Sequence, residues 1–233
     1  MSTEIDILVC TQNINTIGGS YKWYREVFSR WPIPVIVICP PIDGLAKCTE
    51  LAEVNIPIAM KSWGLSSWKQ YLRIRQTVAK MSSKNSGAVF TSHIFPECLG
   101  IPWASKSRTI AFCHGEELRG INSSLELRLL QKFSTIGIKR AIANSEATKN
   151  EALTVLPGDN ISVVNPGVDC KLFAPNPSIK AEARGKLGLA REDFVLVTVG
   201  RIVARKNHEL VLLALTTLSR QSKFSYKYLI VGD

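Results

Sequence analysis

The 233-residue sequence lacks most of the signatures that would settle a function at sight. Its six cysteines are scattered, with no Cys-x-x-Cys pair and no His/Cys/Asp cluster at metal-ligand spacing, so no metal site is expected. Cys10, Cys39 and Cys113 fall inside or at the ends of apolar runs, which reads as buried free thiols in a reducing cytoplasm. No apolar run approaches the length of a bilayer span, and the acidic start Met1 to Asp6 does not read as a secretory signal. The phosphate-loop pattern of nucleotide hydrolases and the three-glycine dinucleotide fingerprint are both missing. So are zinc fingers, ribonucleoprotein-type aromatic motifs, a helix-turn-helix and internal repeats, which argues against a nucleic-acid partner. Acid is in short supply: 19 acidic residues face 29 basic ones, a net charge of +10. That balance suits phosphorylated substrates or an anionic membrane surface.

What is present is alternation. Hydrophobic residues make up 45% of the chain and charged ones 21%, enough to bury a real core. Short β-rich runs are expected at Ile5 to Cys10, Pro34 to Cys39, Asn55 to Met60, Gly87 to Thr91, Arg108 to Cys113, Lys139 to Ala143, Ile161 to Val164, Phe194 to Val199 and Tyr226 to Val231. Between most of them lie helix-period patterns, which predicts an α/β fold with parallel sheets in doubly wound domains. The Pro-dense stretch Ala174 to Ser178 is the expected boundary. It gives a first domain over 1–173, a linker and helix over 174–192, and the first part of a second domain over 193–233.

The stretch Phe194-Val-Leu-Val-Thr-Val-Gly200-Arg201, followed by Lys206 and an apolar helical pattern, reads as strand, basic loop and helix start. Free N–H groups and the helix dipole favour an anion there, and Arg201 and Lys206 add full positive charges. The first loop carries Gly18-Gly19, whose N–H groups can cradle phosphate or simply make a turn. His114 and Glu116 stand at the carboxyl end of a buried strand, where clefts form, although a surface loop would place a histidine there equally well. Ser145 follows another strand and can cap the next helix. Over 61–80, Leu65, Trp68, Leu72 and Ala79 form an expected apolar stripe beside Lys69, Arg73 and Lys80. Such a helix either packs on the core or lies on an anionic bilayer.

Together these pieces resemble the GT-B-fold glycosyltransferases of family 4. The resemblance rests on Gly18-Gly19, His114-Gly115-Glu116, Ile142 to Lys149, Val164-Asn165-Pro-Gly167-Val-Asp169 with Phe173, Arg184 to Leu189, Val199-Gly200-Arg201 with Lys206, and Leu229 to Asp233. It implies two Rossmann-like domains with a nucleotide-diphospho-sugar in the cleft between them, and transfer with retention to a glycan or lipid-linked acceptor. It implies that Arg201 and Lys206 bind the donor diphosphate, that Gly18 and Gly19 face the same phosphates, and that His114 lies near the transferred sugar. Glu116, Ser145 and Gly200 would line the cleft, and no metal or other cofactor would serve the transfer. Asn207 departs from the family pattern, standing where a glycine commonly follows the basic residue. The family's paired-glutamate motif and base-binding strands are not found in these 233 residues, so little transferase activity is expected of this chain alone. A cytoplasmic location, peripheral on the inner face of the membrane through the 61–80 helix, is the accompanying expectation. The competing expectation is a non-catalytic α/β module that docks on an anionic membrane or a partner chain.

Overall fold

The computed structural model describes residues 4–15, 19–41, 51–55, 68–84, 86–95, 97–99, 101–105, 108–115, 118, 125–136, 138–156, 158–221 and 224–232. The chain divides into two compact units, Met1–Gly167 and Val168–Asp233. The division falls ahead of the Pro-dense stretch where the sequence reading set it. Asn176 and Pro177 in that stretch are the start of a helix, with Asn176 Oδ1 accepting from the N–H groups of Ser178 (3.0 Å) and Ile179 (3.2 Å). Proline at the first helical position after an asparagine cap is a helix signal as much as a linker signal.

The first unit holds seven strands: β1 (Asp6–Val9), β2 (Val35–Cys39), β3 (Ala52–Asn55), β4 (Val89–Thr91), β5 (Thr109–Cys113), β6 (Arg140–Ala143) and β7 (Ile161–Val163). All pair in parallel, in the order β3-β2-β1-β4-β5-β6-β7. The helices are α1 (Gly19–Phe28), α2 (Trp68–Ser82), α3 (Ile101–Ala104), α4 (Leu125–Thr135) and α5 (Glu146–Ala152). Strands with both faces covered read as continuous apolar runs, and β1, DILV, is buried at every position. Its alternate residues serve opposite layers. Leu8 and Cys10 join Tyr21, Tyr24 and Phe28 of α1 around Phe90 and Phe112. Ile7 and Val9 join Ile74 and Val78 of α2 and Ile101 of α3. Each large apolar side chain buried this way contributes about 1.5–3 kcal/mol. The order reverses between β1 and β4, so their carboxyl ends open the crevice where ligands bind in such sheets.

Two details differ from the sequence reading. The third strand is seen at Ala52–Asn55, with Ile36 opposite Ala52 and Cys39 opposite Asn55, so it begins earlier than expected, and residues 56–60 of the expected strand lie outside the described residues. On α2, the face turned to the core is Tyr71, Ile74 and Val78, while Trp68 and Leu72 are 52% and 37% exposed. The expected stripe of Leu65, Trp68, Leu72 and Ala79 is therefore not the packing face, and Leu65 lies outside the described residues. As expected, Cys10, Cys39 and Cys113 are buried free thiols.

The second unit contains α6 (Pro177–Lys186), β8 (Phe194–Val199), α7 (His208–Gln221) and β9 (Tyr226–Val231), with β8 and β9 parallel. Two glycines close the ends of its strands. Gly232 has φ 157°, and a Cβ there would stand 2.0 Å from the carbonyl oxygen of Gly200, so only glycine lets the two chains approach. No described residue of this unit is buried. Local stability follows buried apolar contact. Hydrogen exchange should therefore find the amides of β8 and β9 at least about tenfold less protected than those of β1 and β5. Equal protection would show a second core that the exposure pattern does not reveal.

Candidate active site

The crevice of the first unit is built from loops leaving β1, β4, β5 and β6. Thr11 follows β1, Ser92 and His93 follow β4, His114 follows β5, and Asn144 and Ser145 follow β6. The first loop is pinned at several points. Asn13 Nδ2 donates to Pro40 O at 2.7 Å, Asn15 N donates to Asn13 Oδ1 at 2.9 Å, and Arg25 of α1 donates to Ile14 O. Gly19 opens α1 and is exposed, and among the described residues outside its own turn of helix no heavy atom lies within 4 Å of where a Cβ would stand. Gly18 and Glu116 lie outside the described residues.

His114 sits in an aromatic cage, its ring 5.5 Å from Tyr24 and 6.1 Å from Trp23 by centroid. The Tyr24 hydroxyl contacts both Ser92 O and His114 Nε2. A carbonyl can only accept, so the one phenolic proton goes to Ser92 O and His114 Nε2–H donates to the Tyr24 oxygen. That fixes the tautomer and leaves Nδ1 as an acceptor for Asn144 Nδ2 at 3.4 Å. Asn144 is oriented in turn by Thr148, whose Oγ1 donates to Asn144 Oδ1 at 2.7 Å. Burial first, and then the charge of the neighbouring His93, push the pKa of His114 down to about 4, against the opposing pull of Glu97. His114 is therefore neutral at pH 7. Ser145 performs its capping task, its Oγ accepting from Thr148 N at 3.1 Å at the start of α5.

The residue that sequence reasoning missed is Glu97. Its carboxylate is 1% exposed, and Oε1 accepts from Thr11 Oγ1 (2.8 Å), Thr11 N (3.3 Å), Ser92 Oγ (2.8 Å) and His93 Nδ1 (3.0 Å). Burial raises its pKa, but His93 and these hydrogen bonds together outweigh burial and hold it below the ordinary carboxylate value. The ionised group pushes its neighbours the other way: Cys10 and Tyr21 are raised by burial first and by the Glu97 charge second. The available signal was the spacing of His93 and Glu97, four residues apart just after a buried strand.

In the second unit, β8 ends at Val199 and Gly200 follows it, Val203 leads into a 3-10 turn over Ala204–Lys206, and α7 starts at His208. The structure brings Gly200, Arg201 and Lys206 into one loop. The Lys206 side chain lies over Gly200, such that a Cβ on Gly200 would meet Lys206 Cε at 3.2 Å and Nζ at 3.6 Å. Asn207 takes a left-handed conformation, φ 51° and ψ 46°, which explains how it replaces a glycine: asparagine tolerates that region better than other side chains. Behind the loop, His208 Nδ1 bonds the Tyr228 hydroxyl at 3.0 Å, and that hydroxyl bonds Thr198 Oγ1 at 2.8 Å. Gly19 and His114 belong to the first unit, and Gly200, Arg201 and Lys206 to the second. Among the described residues no group of His, Cys, Asp and Glu is arranged to hold a metal ion.

A family model described as Glycosyltransferase Family 4 matches residues 26–172. The D-inositol 3-phosphate glycosyltransferase of Gordonia bronchialis is 31% identical over 140 residues, covering 57% of this chain and 30% of its own length. That of Segniliparus rotundus is 25% identical over 246 residues, covering 97% of this chain and 52% of its own. The chain thus spans about half, or less, of the length of these relatives. Among solved structures, Anabaena HepE in complex with UDP and glucose superposes with a TM-score of 0.73 at 17% identity, over 98% of this chain and 61% of that one. A glycosyltransferase from Rickettsia africae gives 0.67 at 16% identity, over 99% and 61%. At such identities the likeness is one of fold, and it bears out the GT-B-like α/β class.

The lowered pKa of His114 gives stability a definite pH dependence. Between about pH 6.5 and 4 the unfolded chain binds a proton that the folded chain refuses, so stability falls as pH drops through that window. The loss approaches roughly 3 kcal/mol by linkage. Urea midpoints at pH 7 and pH 4.5 should differ in the parent protein and differ much less in His114→Gln. An equal slope in both would place the acid sensitivity elsewhere.

Proposed function

Because the chain belongs to glycosyltransferase family 4, we propose that it serves, in the whole protein, the transfer of a sugar from a nucleotide-diphospho-sugar to an acceptor hydroxyl with retention of configuration. The observation that carries this reading is the loop at Gly200 to Lys206. It sets three cationic side chains, Arg201, Arg205 and Lys206, between the end of a strand and the N-terminus of the 14-residue helix α7. When the bond between the anomeric carbon and the diphosphate breaks, negative charge accumulates on the departing oxygen. Arg201 and Lys206 stabilise that charge, and the free N–H groups of α7 add to it. Positioned cations suffice for this step, so no metal is proposed. Gly19, which opens α1 with its backbone accessible, is a candidate phosphate contact of the first unit. His114 is held neutral by burial, so it meets the transferred sugar without a charge, and Nδ1 bonds a sugar hydroxyl only by giving up its long 3.4 Å contact with Asn144.

Anabaena HepE was solved with UDP and glucose, which supports a uridine diphosphate sugar as donor. The curated relatives named for D-inositol 3-phosphate support an acceptor that is a phosphorylated polyol, with a glycan or lipid-linked alcohol as the other candidate. The net charge of +10 fits either anionic acceptor. A peripheral membrane contact is supported by α2, where exposed Trp68 and Leu72 lie among Lys69, Arg73 and Lys80, with Lys69 Nζ 5.9 Å from the Trp68 ring centroid. Among the described residues no helix is long and apolar enough to cross a membrane.

Calorimetric titration with UDP-glucose tests the proposal. Arg201→Ala and Lys206→Ala should each weaken binding by about 1.5–3 kcal/mol, a loss of roughly ten- to a hundredfold. Unchanged affinity in both variants would show the diphosphate site to be misplaced. Binding to anionic vesicles that survives both substitutions, with no nucleotide-sugar affinity, would favour a docking module instead.

A further inference from the structure

The loop that meets the diphosphate in the transfer scheme has a support behind it to which that scheme gives no task. His208 is the first residue of α7. Its Nδ1 lies 3.0 Å from the Tyr228 hydroxyl, and that hydroxyl donates to Thr198 Oγ1 at 2.8 Å. The phenol has one proton and directs it at Thr198, so Nδ1–H of His208 donates to the Tyr228 oxygen. Nε2 is then the nitrogen without a hydrogen. It is inaccessible and has no hydrogen-bond partner among the described residues, so a proton there would be a buried donor lacking an acceptor.

These bonds join three elements, with Thr198 on β8, Tyr228 on β9 and His208 on α7. Tyr228 stands opposite Leu196 in the ladder, so its ring leans towards the carboxyl end of the sheet to reach Thr198. Two residues beyond Thr198, Gly200 donates its N–H to Val231 O at 2.8 Å and lies beneath the Lys206 stem. The loop is therefore held at both ends, at Gly200 on the strand side and at His208 on the helix side. Between Lys206 and His208 stands Asn207, the left-handed residue about which the start of α7 is hinged. Apolar packing alone is non-directional and leaves the rotation of that first turn loosely set. Two hydrogen bonds in series, each with a narrow angular range, select one rotation.

We propose that His208, through Tyr228 and Thr198, is a positioning residue of the diphosphate loop. It fixes the first turn of α7, so that the backbone N–H groups without intrahelical partners and the neighbouring Lys206 converge on one phosphate. The ligand step rests on the sugar-transfer reading. The hold of Tyr228 on His208 exists without ligand and is measured by itself.

Long-range proton–nitrogen NMR of the imidazole rings reads the tautomer of the parent chain. At about pH 9, where histidines are neutral, His208 should carry its proton on Nδ1. Tyr228→Phe keeps the ring, removes the accepting oxygen and should abolish that preference. Calorimetry with UDP-glucose then reads the positioning. Tyr228→Phe and His208→Leu should each lose about tenfold in affinity, as expected when a binding group is slightly misplaced. His208→Asn, whose side-chain N–H can stand where Nδ1–H stands, should recover most of that loss, which a packing role alone would not produce. A proton found on Nε2 in the parent chain would overturn the proposal outright. So would parent-like affinity in Tyr228→Phe, or an Asn variant that binds no better than the Leu variant. If Arg201→Ala weakens binding and Tyr228→Phe does not, the positioning role alone falls. If the parent chain fails to bind UDP-glucose, the proposed function and the ligand step fall together, and the tautomer still decides whether Tyr228 holds His208.

Discussion

A single buried charge organises the ligand end of the first unit. Glu97 is ionised in the interior because four donor contacts and the His93 ring outweigh the penalty of burial. Everything around it is adjusted to that fact. The thiol of Cys10 and the phenol of Tyr21 stay protonated, Ser92 and Thr11 turn their hydroxyls inward, and His93 is committed at Nδ1. Ser92 is then the bridge to His114, since its carbonyl accepts the Tyr24 proton that fixes the tautomer of that second histidine. Two histidines held in different ways thus arise from one carboxylate and one tyrosine.

The second unit reaches its chemistry by backbone means. Gly232 lets the end of β9 press against the carbonyl of Gly200, and Gly200 leaves room for the Lys206 stem. Asn207 then turns the chain through a left-handed residue into α7. Two glycines and an asparagine set the position of the cations, so the electrostatics of the loop depend on conformations that few residues tolerate.

Much of this fold was legible in the sequence because parallel strands buried on both faces announce themselves as apolar runs; β1, β2 and β5 are such runs, and β8 and β9 are legible by their apolar, β-branched and aromatic residues although none of these is buried. The errors have physical reasons. The third strand begins at Ala52, earlier than its apolar run suggests, because the pairing register with β2 is visible only in three dimensions. On α2 two apolar stripes were available, and the choice of Tyr71, Ile74 and Val78 as the packing face is made by the neighbouring strands, not by periodicity. The basic loop at Gly200 to Lys206 was readable because it follows a strand and precedes a helix. Glu97 was not, since a glutamate in a turn reads as solvated even with a histidine four residues before it, and its partner Thr11 is 86 residues away in sequence. Tyr24 carries no signal in the sequence, since nothing in its spacing reveals that its hydroxyl contacts both Ser92 O and His114.

The central claim is that the loop between β8 and α7 receives the diphosphate of a nucleotide sugar. Amide chemical-shift mapping of the labelled chain with UDP-glucose tests it most directly. The account predicts that the largest shifts fall on Gly200, Arg201 and the residues from Lys206 into the first turn of α7, and that they vanish when glucose alone is added. Shifts confined to the basic face of α2, or equal shifts with glucose alone, would contradict it.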